Sequence, residues 1–337
     1  MHALVTGAGG FLGRYIVEAL VARGDQVRGF ARGDYPELRA LGVETVRGDL
    51  ADPAAVSRAC RDIDCVFHVG GRVGIWGLWS EYHLANVVGT ENVIAACHAN
   101  HVGRLVFTSS PSVTFDGTDQ RGVNESAAYP TNWLAHYPHS KALAEKSVLT
   151  ANGSGSLRTC SLRPHLVWGP RDHHLTARLV SRSRAGRLRR IGGGTNLVDM
   201  IYIENAADAH LQAADALAQE AAGETASAVG GKAYFLSQGE PVNLWQWIDE
   251  ILALVNLPEV RKSLSLKAAY RVGAACEAMW SVLRLSGEPP LTRFLASQLA
   301  TSHWFDISAA RRDFGYKPRI STAEGMRRLG EWLRRDS

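Results

Sequence analysis

A glycine-rich turn near the start of the chain constrains the fold more than any other feature. The apolar run Ala3-Leu4-Val5 leads into Thr6-Gly7-Ala8-Gly9-Gly10-Phe11-Leu12-Gly13, and apolar residues with helical spacing continue to Arg23. A strand, a glycine-rich turn and a helix in this order predict the first unit of a dinucleotide-binding sheet. Without a Cβ, glycine lets the backbone approach a pyrophosphate, and the helix N-terminus directs N–H groups at its charge. The residues predicted to bind the dinucleotide here are Gly7, Gly10, Phe11, Leu12 and Gly13.

Strand and helix patterns alternate through the first half of the chain. Short apolar or β-branched runs predict strands, and longer segments with apolar residues every three or four positions predict helices. The predicted strands are 3–5, 26–30, 43–46, 65–68, 105–108 and 159–162. The predicted helices are 11–23, 54–60, 86–100 and 138–149. This alternation predicts an α/β fold, with a Rossmann-type doubly wound parallel sheet covered by helices on both faces.

The pattern becomes less regular in the second half, and this change sets the predicted domain division. We assign residues 1–168 to a dinucleotide-binding domain and residues 169–337 to a smaller, mainly helical substrate-binding region. Two later strand-like runs, near 201–204 and 233–237, are expected to return to the first domain.

Composition argues against several classes of protein. The 37 basic and 33 acidic residues give a net charge of +4 spread along the chain, so nucleic acid is not expected as a partner. The five cysteines form no Cys-x-x-Cys pair, which indicates a reduced, cytoplasmic protein, and the histidines show no metal-ligand spacing. The apolar stretch from Val272 to Leu283 contains Glu277 and is too short to span a bilayer. We expect neither a metal nor a transmembrane segment.

Tyr137 and Lys141 lie four residues apart, one helical turn, at the start of the predicted helix 138–149, and the segment Thr108-Ser109-Ser110 ends the preceding strand. Residues four apart share a helix face. A tyrosine phenol can give a proton to a carbonyl oxygen that gains charge on hydride addition, and a neighbouring ammonium lowers its high ordinary pKa. We predict Tyr137 as the proton donor and Lys141 as the group that tunes it. Ser110 is predicted to hold the carbonyl oxygen, with Ser109 as the alternative.

The end of the second predicted strand indicates which nicotinamide dinucleotide is used. Enzymes that use NAD usually place an acidic residue there to hold the ribose 2′-OH. Here the strand ends in Gly29-Phe30-Ala31-Arg32, and an arginine pairs well with a 2′-phosphate. The sequence therefore favours NADP(H). The further cofactor-binding residues predicted near strand ends are Asp49, Leu50 and Gly70.

Eight motifs follow one another along the chain: Thr6-Gly7-x-x-Gly10-x-x-Gly13, Asp49-Leu50, Asn86-Val87-x-Gly89-Thr90, Thr108-Ser109-Ser110, Tyr137-x-x-x-Lys141, Arg163-Pro164-x-x-x-x-Gly169-Pro170, Tyr202-Ile203-Glu204-Asn205-Ala206 and Asp313-Phe314-Gly315-Tyr316-x-Pro318. In type and order they resemble the extended short-chain dehydrogenase/reductases, over essentially the whole chain. The resemblance implies that Asn86 lies near the catalytic site and Pro164 beside the nicotinamide. It also implies that Tyr137 and Lys141 contact the cofactor.

Pro111-Ser112 follow the predicted catalytic hydroxyl where dehydratase members carry an Asp-Glu pair, which disfavours elimination chemistry. Three further segments resemble the 3β-hydroxysteroid and sterol-4-carboxylate dehydrogenase branch, which includes bacterial ketoreductases of long-chain olefin biosynthesis. They are Arg32-Gly33-Asp34-Tyr35-Pro36, Gly192-x-Gly194-x-Asn196-Leu197-Val198-Asp199 and Pro289-Pro290-Leu291-Thr292-Arg293-Phe294. The resemblance implies NADPH-dependent reduction of a lipid-like 2-alkyl-3-oxoalkanoate to the 3-hydroxy acid.

Two alternatives for the activity stay open. One is an NAD(P)-dependent 3β-hydroxysteroid or sterol-4-carboxylate 3-dehydrogenase. The other is a non-catalytic NADP-binding sensor, which the presence of both Tyr137 and Lys141 disfavours. The resemblance also suggests a homodimer that pairs through the predicted helices 86–100 and 138–149.

The substrate implied by the resemblance has two alkyl chains and a carboxylate, and both need partners. We expect residues 264–285, Trp133 and Trp168 to line an apolar cleft. The alternative for the helical segment is contact with a membrane surface or a partner enzyme. The residues considered for the carboxylate are Arg171, His165 and Arg178.

Overall fold

The computed structural model describes residues 1–223 and 229–335. Its strands are β1 (His2–Thr6), β2 (Gln26–Ala31), β3 (Glu44–Arg47), β4 (Cys65–His68), β5 (Arg104–Thr108), β6 (Gln120–Val123), β7 (Arg158–Pro164), β8 (Val167–Trp168), β9 (Arg190–Ile191), β10 (Leu197–Val198), β11 (Ile201–Tyr202), β12 (Ala233–Leu236), β13 (Val242–Asn243), β14 (Ser263–Leu264) and β15 (His303–Phe305). Its α-helices are α1 (Phe11–Ala22), α2 (Pro36–Ala40), α3 (Pro53–Ala59), α4 (Trp79–Tyr82), α5 (Gly89–Ala99), α6 (His136–Thr150), α7 (Leu175–Arg184), α8 (Ile203–Ala221), α9 (Leu244–Ala253), α10 (Leu266–Leu283), α11 (Arg293–Ala300), α12 (Ser308–Phe314) and α13 (Thr322–Arg335). A π-helical turn spans His83–Val88, and a 3₁₀ turn spans Pro111–Thr114.

Seven parallel strands form the central sheet in the order β12-β7-β5-β4-β1-β2-β3. The order reverses at β1, which pairs with β2 on one side and β4 on the other, and this reversal is typical of a doubly wound sheet. The centres of strands β1, β4 and β5 are apolar and buried because helices cover both faces of the sheet. The predicted fold class is confirmed.

The second half of the chain contributes to both parts of the molecule. Strand β12 pairs with β7 at the edge of the central sheet, and α8 packs against α1 and against β5 and β7. Strand β11 pairs with β8 in a separate two-stranded sheet. The remaining segments form a mainly helical region that includes the four-stranded sheet β13-β10-β15-β6.

Trp168, which was expected at an apolar cleft, lies elsewhere, and the place of α10 at such a cleft stays a prediction. Trp168 is fully buried, with its ring against Tyr202 and Trp247, so it belongs to the core rather than to a cleft wall. Helix α10 exposes several large apolar side chains, Val282 the most. Among the residues that the structure describes, no helix combines the length and apolar character needed to cross a bilayer.

Candidate active site

The glycine-rich turn lies where β1 passes into α1, and its glycines are required by close backbone contacts. Gly10 is the N-cap of α1, and Gly7 has a φ of +69°. A Cβ on Gly7 would lie 2.8 Å from the Cα of Gly70, and a Cβ on Gly13 would lie 2.2 Å from the carbonyl oxygen of Gly7. The predicted residues therefore form a side-chain-free surface at a helix N-terminus, which suits a pyrophosphate.

Replacing Gly13 with Ala should disturb this turn. The new methyl group cannot stand 2.2 Å from the Gly7 oxygen, so α1 must move away, at a cost of about 1–3 kcal/mol. We expect a lower midpoint of thermal unfolding and weaker dinucleotide binding in a fluorescence titration. Gly103→Ala is the matched control, because the nearest atom to a Cβ there is 3.9 Å away. Unchanged dinucleotide affinity in Gly13→Ala would contradict the assignment of this turn.

A buried network of hydrogen bonds joins the glycine turn to the helix that carries Asn86. The Thr90 hydroxyl donates to the carbonyl oxygen of Asn86 at 2.6 Å and accepts from Nε2 of His68 at 3.0 Å. Nδ1 of His68 then accepts from the Thr6 hydroxyl at 2.7 Å, and that hydroxyl accepts from Gly70 N–H at 3.0 Å. Burial lowers the pKa of His68 to about 3, so the ring is neutral and can serve this network as both donor and acceptor.

Two arginines lie at the adjoining ends of β2 and β3. Arg32 is exposed, and its carbonyl oxygen accepts a hydrogen bond of 2.9 Å from Nε of Arg47. The Tyr35 ring covers Gly9, where a Cβ would lie 2.1 Å from Cζ. Of the two, only Arg32 was predicted from the sequence. Arg47 could have been found, since Ala31 and Arg47 are register partners in neighbouring parallel strands.

Asp49 and Leu50 follow β3 as predicted, but they have different surroundings. The exposed carboxylate of Asp49 accepts a 2.9 Å hydrogen bond from Ala51 N–H. Leu50 reaches the glycine turn, because a Cβ on Gly70 would lie 3.1 Å from its Cδ1. Leu50 and Gly70 therefore share one surface with Gly7.

Helix α6 presents Tyr137, Lys141 and Glu145 at successive turns. Tyr137 is partly exposed, whereas the other two side chains are buried. Burial raises the pKa of Tyr137 to about 12, although the neighbouring Ser110 hydroxyl opposes the rise. This shift is opposite to the one expected from a neighbouring ammonium. The reason is that Nζ of Lys141 donates to the Thr108 carbonyl oxygen at 2.5 Å, and burial dominates at the phenol.

The structure distinguishes the two serines at the end of β5. The Ser110 side chain is close enough to the Tyr137 phenol to lower its pKa, and its hydroxyl lies 2.9 Å from the Ser112 hydroxyl. Ser109 is buried on the side of Glu145, and its proximity lowers the pKa of that carboxyl group. Ser110 is therefore the hydroxyl that can meet a substrate oxygen together with Tyr137.

Asn86 lies in the π-helical turn before α5 and is fully engaged. Its amide nitrogen donates to the carbonyl oxygen of Arg72 at 3.0 Å and to the Ser140 hydroxyl at 2.8 Å, and its oxygen accepts from Arg72 N–H at 2.6 Å. Ser140 in turn donates to the carbonyl oxygen of Tyr137 at 2.8 Å. Asn86 thus ties the segment after β4 to the first turn of α6, so it positions Tyr137 through backbone contacts. A π-helical turn within a helix often marks a functional site.

Lys141 has an unusual environment for a lysine. Its Nζ lies 3.9 Å from the centroid of the Phe107 ring, and burial lowers its pKa to about 7, while Glu145 opposes that shift. Glu145 itself forms an ion pair of 2.6 Å with Arg163, the residue before Pro164 at the end of β7. Sequence analysis found Lys141 and Pro164 but not this buried pair beside them.

An aromatic stack flanks the site on the α6 side. The His139 ring lies between the rings of Trp79 and Trp133, with centroid distances of 4.6 and 5.0 Å. His136 packs edge-on against Trp79 at 5.7 Å. Trp133 is therefore near the site, as expected, and Trp79 is a neighbour that the sequence did not indicate.

A family model described as the 3-beta hydroxysteroid dehydrogenase/isomerase family matches residues 4–266. The chain belongs to this family. Two relatives with the name 2-alkyl-3-oxoalkanoate reductase match almost its full length. The one from Stenotrophomonas maltophilia (strain K279a) is 53% identical over 332 residues, 98% of each chain. The one from Shewanella oneidensis is 50% identical over 334 residues, 97% of this chain and 85% of the relative.

More distant members of the 3β-hydroxysteroid dehydrogenase family and solved structures extend the comparison. The human sterol-4-alpha-carboxylate 3-dehydrogenase, decarboxylating, is 30% identical over 337 residues, 98% of this chain and 87% of the relative. MoeE5 in complex with UDP-glucuronic acid and NAD matches with a TM-score of 0.74 and 24% identity over 100% of both chains, which shows the fold. The chain is therefore an oxidoreductase that acts on CH–OH or C=O groups, in an NAD(P)-dependent family.

Proposed function

We propose that the protein reduces a 2-alkyl-3-oxoalkanoate to the 2-alkyl-3-hydroxyalkanoate with NADPH, as a step of long-chain olefin biosynthesis. The observation that carries this proposal is the 53% identity to a 2-alkyl-3-oxoalkanoate reductase over 98% of both chains. The placement of Tyr137 and Ser110 beside each other at the carboxyl end of the sheet supports ketone reduction.

Each residue of the site has a distinct role in this proposal. Bound NADPH supplies the hydride that reduces the ketone carbon. Ser110 donates a hydrogen bond to the ketone oxygen, and Tyr137 gives that oxygen its proton. Lys141 holds positive charge one turn away, and Asn86, through Ser140, fixes the start of α6. We propose Pro164 as an apolar contact beside the nicotinamide.

Reduction of a ketone needs a protonated phenol at Tyr137. The chain's own residues raise the pKa of Tyr137 to about 12, which keeps the phenol protonated at neutral pH, as this role requires.

NADPH is proposed as the preferred cofactor because Arg32 and Arg47 lie together at the ends of β2 and β3. Two guanidinium groups attract a 2′-phosphate and have no comparable partner on the 2′-OH of NADH. The glycine turn brings backbone N–H groups to the N-terminus of α1, where they could face a pyrophosphate. These residues fit a nicotinamide dinucleotide.

Replacing Arg32 with Ala should weaken NADPH binding and leave NADH binding almost unchanged. A charged hydrogen bond to phosphate is worth about 1.5–3 kcal/mol, so we expect a roughly 10- to 100-fold higher Kd for NADPH. Fluorescence titrations with both dinucleotides measure the effect. The exposed Arg58 on α3 provides the control Arg58→Ala, which removes the same charge at a distance. Equal use of NADH and NADPH by the unaltered enzyme would refute the cofactor assignment.

The second candidate function is oxidation of a 3β-hydroxysteroid or a sterol-4-carboxylate, which the family and its 30%-identical human member favour. One comparison separates the two. The purified enzyme is incubated with NADPH and a 2-alkyl-3-oxoalkanoate, and separately with NAD(P)⁺ and a 3β-hydroxysteroid. Turnover of the keto acid supports the first function, and turnover of the steroid alone overturns it.

Pairing of two copies of the chain through α5 and α6 stays a prediction.

A further inference from the structure

The proposed substrate carries a carboxylate, and the structure separates the three residues considered for it. Arg171 forms an ion pair with both carboxylate oxygens of Glu18, at 2.6 and 2.7 Å. Arg178 pairs with Glu288 at 2.6 Å on the surface. Both arginines are therefore neutralised within the protein. His165 remains, buried directly after Pro164 at the carboxyl end of β7.

His165 forms a buried pair with a second histidine whose protonation is fixed by the backbone. Its Nε2 lies 2.6 Å from Nδ1 of His303, and Nε2 of His303 lies 2.8 Å from the carbonyl oxygen of Gln298. A carbonyl oxygen only accepts, so Nε2 of His303 carries a hydrogen. In the neutral pair Nδ1 of His303 must then accept, and Nε2 of His165 must donate. Nδ1 of His165 is left as a lone-pair acceptor.

The pair of rings can take up one more proton and keep both of its hydrogen bonds. The added proton lies on Nδ1 of His165, whether the hydrogen between the two rings belongs to Nε2 of His165 or to Nδ1 of His303. Nδ1 of His165 makes no hydrogen bond with any residue in the ranges 1–223 and 229–335. The protonated pair therefore presents a free N–H donor, and its positive charge is spread over two rings.

His165 and the predicted catalytic hydroxyl of Ser110 follow the carboxyl ends of two neighbouring strands. Ser109 N–H donates to the carbonyl oxygen of Leu162 at 2.6 Å, which aligns the ends of β5 and β7, and adjacent strands lie about 4.8 Å apart. The His303 ring packs edge-on against Phe115, 6.4 Å between centroids, and Phe115 follows the 3₁₀ turn that Ser110 caps. The carboxylate of a 3-oxo acid is two bonds from the ketone carbon, so it must lie close to the group that binds the ketone.

Few charged groups surround the pair. Asp119 is the carboxylate that acts on His303 and raises its pKa, although burial lowers that pKa overall. The buried Asp199 accepts from Phe305 N–H at 2.8 Å, and the Phe305 ring packs edge-on against His165 at 5.3 Å. Burial and the partner ring hold the pKa of His165 well below its usual range, so the pair is neutral before a ligand binds. An anion bound at Nδ1 of His165 would stabilise the protonated, positively charged form of the pair.

We propose that the His165–His303 pair binds the carboxylate of the substrate and takes up one proton as it does so. The inference rests on the proposed function and names the residue that makes the enzyme select a free acid. The proton comes from solvent and is shared between His165 Nδ1 and a carboxylate oxygen; no bond between heavy atoms changes. The positive φ of 43° at Leu166, immediately after His165, is a strained conformation that holds the chain in this turn.

The test compares a 2-alkyl-3-oxoalkanoate with its methyl ester, using wild type, His165→Gln and His303→Gln. Gln can hydrogen-bond but cannot take up a proton. We expect His165→Gln to raise the KM for the acid by about 10- to 100-fold with little change in kcat, and to leave the ester unaffected. Turnover of the ester also shows that each variant is folded. His174→Gln, at an exposed position before α7, is the matched control.

Calorimetry with a short 2-alkyl-3-hydroxy acid provides a readout that needs no turnover. Titration in two buffers of different ionisation enthalpy should show uptake of about one proton per acid bound by wild type, and none by His165→Gln. Equal KM values for acid and ester in wild type, or an unchanged acid preference in His165→Gln, would overturn the inference while the reductase function stands. If neither acid nor ester is reduced, the proposed function fails, and the proton count alone then decides whether the pair binds acids.

Discussion

Replacing Tyr137 with Phe should lower kcat for reduction of a 2-alkyl-3-oxoalkanoate by about 10²–10⁴-fold. The phenol is the partly exposed proton donor on α6, and its neighbour Ser110 has no acidity that could replace it. NADPH binding should stay nearly unchanged, because the glycine turn and Arg32 lie at the other end of the cofactor site. The measurement is the rate of NADPH oxidation at saturating substrate, together with an NADPH titration.

A matched variant separates loss of the proton from loss of a tyrosine hydroxyl in general. Tyr270 lies on the exposed face of α10, and Tyr270→Phe should retain wild-type kcat. Ser110→Ala should lower kcat less than Tyr137→Phe does, since it removes one donor to the ketone oxygen and leaves the proton source. If Tyr137→Phe retained substantial activity with the keto acid, the proton-donor assignment would be wrong.

Much of the fold was readable from the sequence because its signals are local. The glycine turn, the strand at 65–68 and the helix around Lys141 depend on residues within about ten positions of one another. The edge strand β12 was also visible as a short apolar run. The seven-stranded order then follows from the rules for parallel sheets with helical connections.

The parts of the site that the sequence did not show depend on contacts between distant segments. The sequence motif does not show which of Ser109 and Ser110 is the catalytic hydroxyl. The position of α6 shows that Ser110 is the one close to Tyr137. The sequence does not distinguish Trp168 from Trp133, yet edge-on contacts with Tyr202 and Trp247 hold Trp168 in the core. The rise in the Tyr137 pKa comes from burial, which spacing along a helix cannot indicate.

Glu145 is the clearest case of a residue that only the three-dimensional contacts reveal. Its carboxylate is fully buried, forms an ion pair with Arg163, and accepts hydrogen bonds of 2.7 Å from both the Tyr129 and Ser161 hydroxyls. Lys141 lies four residues before it, and the negative charge of Glu145 partly offsets the lowering of the Lys141 pKa by burial. In sequence it is one acidic residue on a helix, and its partners lie 16 and 18 positions away.

Replacing Glu145 with Ala should lower the free energy of unfolding by about 3–5 kcal/mol, because Arg163 would keep a buried charge without a partner. Chemical denaturation at neutral pH measures the loss. The double variant Glu145→Ala/Arg163→Met should recover part of it, since it removes that charge. Glu44→Ala, which breaks the exposed pair with Arg28, is the surface control and should have little effect. A small loss in Glu145→Ala would contradict a buried ion pair.

The pH dependence of the same pair has a definite sign. Arg163 holds the pKa of Glu145 below its ordinary value, so the stabilisation is complete above that ordinary value and disappears as the pH falls through the lowered pKa. The stability difference between wild type and Glu145→Ala should therefore shrink in acid.

The rate of keto-acid reduction should also depend on pH. Lys141 has a pKa of about 7 and loses its charge as the pH rises, so the rate should fall as the pH rises through neutrality. In Glu145→Gln, which keeps the shape and removes the supporting charge, this fall should begin at lower pH. An unshifted profile would show that Glu145 stabilises the fold without acting on Lys141.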